Sequence, residues 1–136
     1  GYNRPAEKKR TAPTANNKQE FTLYLAMKNG LFVYDAEAHA LLKVFEDDIR
    51  ATTGKQAFVK KAPLNLIIVA DTHKQNKLTS SYANSGFISQ NIYLFCASEG
   101  LGTVVRGWFD EKALHKAMDL KEHQKIILCQ SVGYPE

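Results

Sequence analysis

The longest apolar run of the chain is Leu66-Ile67-Ile68-Val69-Ala70, and it lies within a stretch from Pro63 to Asp71 that is apolar at nearly every position. This run has the length of a β-strand and is far shorter than the roughly 18 apolar residues that suggest a membrane-spanning helix. A strand that is apolar at consecutive positions is covered on both faces. The sequence therefore predicts a central strand over 63–71 and no membrane span.

The segment before this strand has the pattern of an antiparallel meander. Phe21–Met27 is rich in β-prone residues, and Lys28-Asn29-Gly30 is a turn signal because Asn and Gly tolerate positive φ. Leu31–Asp35 is the predicted returning strand. A second turn through 36–40 leads to a third strand, Leu41–Phe45.

The main predicted helix covers Ser80–Glu99, and Gly100 and Gly102 end it. Most of its large apolar side chains fall within about 160° of helical arc; they are Phe87, Ile88, Ile92, Leu94 and Phe95. Tyr93 and Ala97 lie on the other side. A helix that is apolar on two sides in a chain of 136 residues indicates that one side contacts a second subunit.

The rest of the chain supplies shorter elements. The sequence predicts a helical stretch from Glu46-Asp47-Asp48 to Thr53, a strand at Thr103–Val105, a helix capped by Asp110, and a last strand at Lys125–Val132, with residues 1–19 irregular. The predicted fold class is α+β: a mixed or antiparallel sheet flanked by helices, with a long central helix at a dimer contact. The length suits a single domain over 1–136.

The net charge of +4 is concentrated at the start of the chain. Residues 1–20 carry five cations (Arg4, Lys8, Lys9, Arg10, Lys18) against two anions (Glu7, Glu20), which gives 5 − 2 = +3. A basic arm can bind nucleic acid, acidic lipid or a phosphate-bearing cofactor, although a solvated terminus explains it more simply. No segment resembles a nucleic-acid-binding module, so no nucleic-acid partner is predicted.

Most motifs that carry chemistry are absent from the sequence. Gly100-Leu101-Gly102 has Val105 where a dinucleotide fingerprint needs a third glycine. The histidines at 39, 73, 115 and 123 show no metal-ligand spacing, and the acidic run at 46–48 is explained by helix capping. Cys96 and Cys129 lie in apolar runs and are predicted to be buried free thiols. The sequence predicts no metal site and no catalytic side chain.

The remaining candidate is a polar loop from Thr11 to Gln19. It combines Thr, Asn and Gln without acid or histidine. Hydroxyl, amide and backbone groups of this kind suit the carbonyls and ring nitrogens of a flat heteroaromatic ligand, or a ribityl chain. By composition alone, a polar surface loop is the favoured interpretation of this segment.

Several segments, in chain order, resemble a known family. Pro13-Thr14-Ala15-x-Asn17-x-Gln19 is similar to the Pro-Ser-x-x-Asn-x-Gln loop of nitroreductase-like flavoproteins. Further matching blocks are Phe58-Val59-x-x-Ala62-Pro63, Gly86-x-x-Ser89-Gln90-Asn91-x-x-Leu94, Glu99-Gly100-Leu101-Gly102-Thr103, Gly107-Trp108-Phe109-Asp110 and Val132-Gly133-Tyr134-Pro135. Together they resemble the SagB-type, thiazole/oxazole dehydrogenase-like branch of that family.

This resemblance implies a homodimer that interlocks around the long helix and binds FMN at its interface. One part of the flavin site would be the loop residues Pro13, Thr14, Ala15, Asn17 and Gln19. The other would be the segment Val104, Val105, Arg106 and Gly107, where a backbone N–H bonds flavin N5. The implied reaction is hydride transfer from NAD(P)H through FMN to a nitroaromatic, quinone or related small-molecule acceptor.

The sequence also departs from the family pattern. Family members carry an Arg-x-Ser-x-Arg-like phosphate grip well before the Pro-Ser loop and often a basic tail, and neither is found between Gly1 and Glu136. Two hypotheses follow. The chain is the later part of a longer, N-terminally truncated enzyme, which is favoured, or it is a degenerate dimeric ligand-binding or scaffold protein without redox activity. The sequence predicts a soluble protein and leaves its compartment, cytoplasmic or exported, open.

Overall fold

A computed structural model describes residues Tyr2–Pro135, and its fold is α+β as predicted. The strands are β1 (Tyr2–Arg4), β2 (Lys9–Arg10), β3 (Phe21–Met27), β4 (Gly30–Asp35), β5 (Ala40–Phe45), β6 (Leu64–Asp71), β7 (Gly102–Arg106) and β8 (Gln124–Gly133). The helices are α1 (Leu78–Ser98) and α2 (Glu111–Ala117), with short 3-10 turns at Pro5–Glu7, Ala15–Asn17 and Arg50–Thr53. Among residues 2–135, no helix is both long and apolar enough to span a membrane.

The main sheet has six strands in the order β5-β4-β3-β6-β8-β7, and neighbouring strands are antiparallel. The predicted meander is confirmed as β3-β4-β5. The predicted central strand is confirmed as β6, which pairs with β3 on one side and β8 on the other. Ile67 and Val69 of β6 pack in the core with Leu114 and Met118 of the α2 region. The sheet is therefore antiparallel, and α2 covers one of its faces.

Residues 1–19 are more ordered than the sequence predicted. β1 and β2 form a small hairpin in which Tyr2 pairs with Arg10, and Lys8 takes a left-handed φ of 53° between them. The Arg10 guanidinium lies 4.9 Å from the centre of the Tyr2 ring. Strands of two or three residues are too short to show an alternating pattern, so this hairpin could not be predicted from the sequence.

The long helix is confirmed as α1, with 21 residues, but its faces differ from the prediction. The side buried within this chain carries small and polar residues: Ser81, Asn84, Ser85, Ser89 and Cys96. The larger apolar residues Phe87, Leu94 and Phe95 are 47%, 61% and 62% exposed. The predicted apolar arc is therefore divided, since Ile88 and Ile92 are half-buried within the chain whereas the larger side chains of the arc face away from it.

The predicted ends of the helices are confirmed. Gly100 has a φ of 68°, and the Leu101 N–H returns to the Cys96 carbonyl at 2.8 Å, which closes α1. Asp110 caps α2 by accepting from the Ala113 N–H at 3.0 Å.

The acidic run at 46–48 includes Asp48, which forms an ion pair with Arg50 at 2.8 Å. Cys96 and Cys129 are buried free thiols, as predicted.

Candidate functional site

A cavity of about 820 Å³ lies between the N-terminal segment and α1. Polar and charged side chains of the N-terminal segment form one wall: Arg10, Thr11, Thr14 and Gln19. Apolar residues of β6 and α1 form another: Leu64, Leu66, Ile88, Ile92 and Phe95. Asn91 also lines this first cavity, and its Nδ2 donates to Thr11 Oγ1 at 3.3 Å. An apolar wall with a few polar groups opposite is the usual form of a small-molecule site.

The loop at 14–19 has an unusual backbone. Asn16, Asn17 and Gln19 have φ values of 53°, 51° and 49°, in the left-handed region that non-glycine residues seldom occupy. The loop is closed by its own hydrogen bonds, since Thr14 Oγ1 accepts from the Gln19 N–H and the Thr14 carbonyl accepts from the Asn17 N–H, both at 2.9 Å. Strained backbone of this kind persists where surrounding contacts fix it, and it clusters at ligand sites.

Those contacts come from the polar face of α1. Asn84 Oδ1 accepts from the Ala15 N–H at 3.1 Å, and Asn84 Nδ2 donates to Glu20 Oε1 at 2.8 Å. Ser81 Oγ donates to the same Glu20 oxygen at 3.2 Å. Glu20 is only 1% exposed, and its Oε2 has no hydrogen-bond partner among residues 2–135. Helix α1 thus holds the loop through a buried carboxylate.

Sequence reasoning did not identify Glu20, Ser81 or Asn84 as site residues. The available signal was the polar stripe at Ser81, Asn84 and Ser85, three residues that share one face of the helix. Residues spaced by three and four positions share a helix face, so this stripe marks a face that packs against polar partners.

The second predicted segment lies elsewhere. Val104, Val105 and Arg106 belong to β7 at the edge of the sheet, followed by Gly107. Val104 lines a second, shallower cavity of about 430 Å³ together with Phe58 and Tyr134. The Val105 N–H donates to the Tyr93 hydroxyl of α1 at 2.9 Å. Within this chain, the two predicted segments contact the same helix but do not line the same cavity.

The Arg106 side chain points into the protein, and it is only 4% exposed. Its guanidinium donates to the Thr53 carbonyl at 2.6 Å and to Asn65 Oδ1 at 2.9 Å, and its Nε donates to Ser131 Oγ at 3.1 Å. Burial lowers the pKa of this guanidinium. The side chain is committed to this network, so a ligand would meet the backbone of Arg106 and not its charge.

Only some of the predicted loop residues line the first cavity. Thr14 and Gln19 line it directly. Pro13 and Asn17 are exposed, and Ala15 is half-buried below the loop. Asn17 Oδ1 accepts from Gln19 Nε2 at 2.8 Å, so these two side chains act together. The donors and acceptors of this loop fit the polar edge of a flat heteroaromatic ring. Two cations, Arg10 and Lys74, and two carboxylates, Asp35 and Glu37, also line the cavity.

Comparison with known proteins identifies the family of this chain. The model of the family described as Nitroreductase family matches residues 5–134, nearly the whole chain. The chain belongs to the nitroreductase family. A protein named as a nitroreductase from Methanocaldococcus jannaschii is 25% identical over 138 residues, covering 88% of this chain and 68% of that protein.

Solved structures show the same fold. A crystal structure of a protein named as a nitroreductase from Ralstonia eutropha superimposes with a TM-score of 0.92 at 39% identity, covering 100% of this chain and 68% of that one. A protein named as a nitroreductase from Desulfovibrio desulfuricans, solved in complex with FMN, has a TM-score of 0.70 at 17% identity and covers 91% of this chain and 66% of that one. At that identity, the second similarity establishes the fold alone.

Proposed function

We propose that this protein is an FMN-dependent oxidoreductase that passes hydride from NAD(P)H, through the flavin, to a nitroaromatic, quinone or related small-molecule acceptor. The observation that carries the proposal is the strained polar loop at Thr14–Gln19 beside an apolar cavity wall. Family membership and the FMN complex of a fold neighbour support it. When bound, the flavin supplies the hydride chemistry, and the chain binds and orients it. The order of the sequence blocks favours the SagB-type branch.

The proposal includes a homodimer whose interface completes the site. The large side chains Tyr82, Phe87, Leu94 and Phe95 of α1 are exposed, and an apolar surface of this kind marks a contact with another protein. A second copy seated on α1 would cover them. It would also explain why the loop at 14–19 and the segment at 104–107 line different cavities of one chain, since each would then form one wall of a flavin site shared between subunits.

The phosphate of FMN requires positive charge. Arg10 and Lys74 are the cations that line the first cavity within the described part of the chain. They would bind that phosphate. Because the carboxylates Asp35 and Glu37 line the same cavity and offset this charge, a second candidate function is a dimeric protein that binds a small heteroaromatic ligand without redox activity.

Titration of the purified protein with FMN and with riboflavin, followed by the quenching of flavin fluorescence, tests the proposal. We expect FMN to bind at one equivalent per chain and Thr14→Val to weaken binding of both flavins. Thr52→Val, a substitution away from the cavity, is the matched control. Arg10→Ala should weaken FMN binding more than riboflavin binding because only FMN carries the phosphate. If FMN does not bind, the oxidoreductase proposal fails, and binding of the flavin without NAD(P)H oxidation supports the second candidate.

A further inference from the structure

A cluster of potential metal ligands lies at the end of the central strand, among residues that have no part in the proposed flavin site. Asp71, His73 and His123 each offer one ligand atom, and these atoms all lie within 4.8 Å of one another. This cluster could not be predicted from the sequence, because the two histidines are 50 positions apart and fit no common metal-ligand motif.

Strand pairing brings these residues together. Asp71 is the last residue of β6 and pairs with Gln124, the first residue of β8. His123 directly precedes β8, and both the N–H and the hydroxyl of Thr72 donate to its carbonyl, at 2.9 and 3.1 Å. The backbone on each side of the cluster is therefore held by the sheet and by two hydrogen bonds. Such support fixes the backbone positions of Asp71 and His123 without help from a metal.

The imidazole rings of His73 and His123 are stacked, with centroids 4.3 Å apart and planes 9° from parallel. Neither ring has a hydrogen-bond partner for its nitrogens among residues 2–135. The other two histidines are different: His39 Nδ1 bonds the Tyr34 hydroxyl at 2.8 Å, and His115 Nε2 lies 3.1 Å from the Lys121 and Gln124 carbonyls. The stacked pair thus keeps its lone pairs available, whereas the others use theirs within the fold.

The carboxylate of Asp71 is oriented by its own turn. Asp71 Oδ1 accepts from the backbone N–H of His73 at 2.8 Å, which holds the side chain beside that residue. A carboxylate has two oxygens and can accept further bonds, so Oδ2 remains as a ligand atom. Asp71 and His123 are half-buried and His73 is exposed, so an ion can enter from solvent.

We propose that Asp71, His73 and His123 bind one divalent transition-metal ion of the Zn²⁺, Ni²⁺ or Cu²⁺ class. Imidazole nitrogen with one carboxylate oxygen is a ligand set for these ions, whereas Mg²⁺ and Ca²⁺ prefer oxygen alone. Bonds of about 2.1 Å around a tetrahedral ion separate its ligand atoms by about 3.4 Å. The lone pairs of two stacked, parallel rings lie in parallel planes and do not converge, so the exposed His73 side chain has to rotate out of the stack to meet an ion held beside His123. Three protein ligands leave a coordination position for water.

Such an ion would join the end of β6 to the turn that precedes β8. Because the ligands come from two separate parts of the chain, the unfolded chain cannot present them together, and binding stabilises the native state. The metal would therefore act on the stability of the sheet end, independently of FMN.

The test uses the full chain, stripped with a chelator and titrated with ZnCl₂ by calorimetry. We expect one site per chain, with at least tenfold weaker binding in His73→Gln and in His123→Gln. His39→Gln is the matched control and should bind as the wild type does. The proposal is overturned if neither variant weakens binding, or if His39→Gln weakens it equally, which indicates dispersed surface binding.

A second measurement needs no variant. Cu²⁺ bound at one equivalent to the wild-type chain should show superhyperfine coupling to two imidazole nitrogens in its electron paramagnetic resonance spectrum. Coupling to one nitrogen or none would overturn the site. Together, the two measurements decide the proposal even if a substituted chain does not fold.

Discussion

Asn84 donates a 2.8 Å hydrogen bond from Nδ2 to Oε1 of the buried Glu20. The same amide accepts from the Ala15 N–H through Oδ1, at 3.1 Å, so one side chain of α1 joins a buried carboxylate to the left-handed loop at 14–19. The loop conformation therefore depends on a helix residue that is nearly 70 positions away in the sequence. If the loop binds flavin, Asn84 positions the loop without needing to touch the ligand.

Replacing Asn84 with alanine should loosen the loop and weaken FMN binding. The substitution removes one of the two donors to Glu20 Oε1, and an under-bonded buried acceptor costs about 1–3 kcal/mol. We expect the free energy of unfolding to fall by that amount in urea titration. Release of the Ala15 N–H should lower FMN affinity by about tenfold, a change of about 1.4 kcal/mol in binding free energy.

The matched control is Asn76→Ala, an exposed asparagine outside the loop and outside the cavity lining. It should leave both measurements near the wild-type values. Loss of stability in Asn84→Ala with unchanged FMN affinity would contradict the positioning role, because the loop would then bind without its anchor.

The sheet could be predicted from sequence because its signals are local. The apolar run at 64–71 and the Asn29-Gly30 turn each specify their own conformation, and the strands formed at those positions. The polar composition of residues 11–19 made this loop a candidate site. Asn84, the helix residue that holds the loop, could not be predicted. Its bond to Glu20 depends on how closely α1 approaches the sheet, and that distance is set by small residues spread over the whole helix.

The side of α1 that faces solvent was misjudged for a related reason. An apolar arc in a sequence indicates a buried face but does not say what buries it. Here the chain's own sheet takes the small polar face, and Leu94 and Phe95 stay exposed. Likewise, the sequence pattern could not show that the Arg106 side chain turns inward, because Thr53, Asn65 and Ser131 come from three distant segments.

A charge on the exposed face of α1 should prevent dimerisation. Leu94 is 61% exposed in the single chain, and the proposed homodimer covers it. Leu94→Lys would place an ammonium group in that interface, where an unpaired buried charge is strongly unfavourable. We expect light scattering to give the mass of a dimer for the wild type and the mass of one chain for the variant.

Leu42→Lys is the control, since Leu42 of β5 is a similarly exposed apolar residue, 51% exposed, that lies neither on α1 nor in the lining of either cavity. It should remain dimeric. A wild-type protein that has the mass of a single chain at all concentrations would contradict the homodimer, and so would a Leu94→Lys variant that keeps the dimer mass.

Adding one methyl group at Gly54 should destabilise the fold through Arg106. Gly54 has an extended backbone with a φ of −178°, which any residue adopts. The expected destabilisation therefore comes from steric overlap and not from backbone strain. A Cβ there would lie 2.0 Å from Arg106 Nη1. The guanidinium is buried and held by three partners, so it cannot move aside freely. We expect Gly54→Ala to lower the free energy of unfolding by about 1–3 kcal/mol, the usual cost of overpacking.

Gly107→Ala provides the matched control because a Cβ at Gly107 meets no atom within 4 Å. Measured without FMN, it should change stability by less than about 0.5 kcal/mol. Equal stability of the two alanine variants would show that the Arg106 network gives way easily, contrary to the prediction.

The buried thiol of Cys129 should make stability fall at alkaline pH. Burial raises the pKa of Cys129 from an ordinary value of 9.0 to about 12. Below pH 9 the thiol is protonated in both states, and between pH 9 and 12 only the unfolded chain loses the proton, so each pH unit there costs about 1.4 kcal/mol of stability. Cys129→Ala has no thiol, so its free energy of unfolding does not fall for this reason. The difference in free energy of unfolding between the wild type and Cys129→Ala should therefore shrink by about 1.4 kcal/mol between pH 9.5 and 10.5. Urea titrations under reducing conditions measure it. Ile67→Val, a core substitution without a titrating group, should keep a constant deficit. A deficit of Cys129→Ala that also stays constant would mean that the thiol ionises equally in both states.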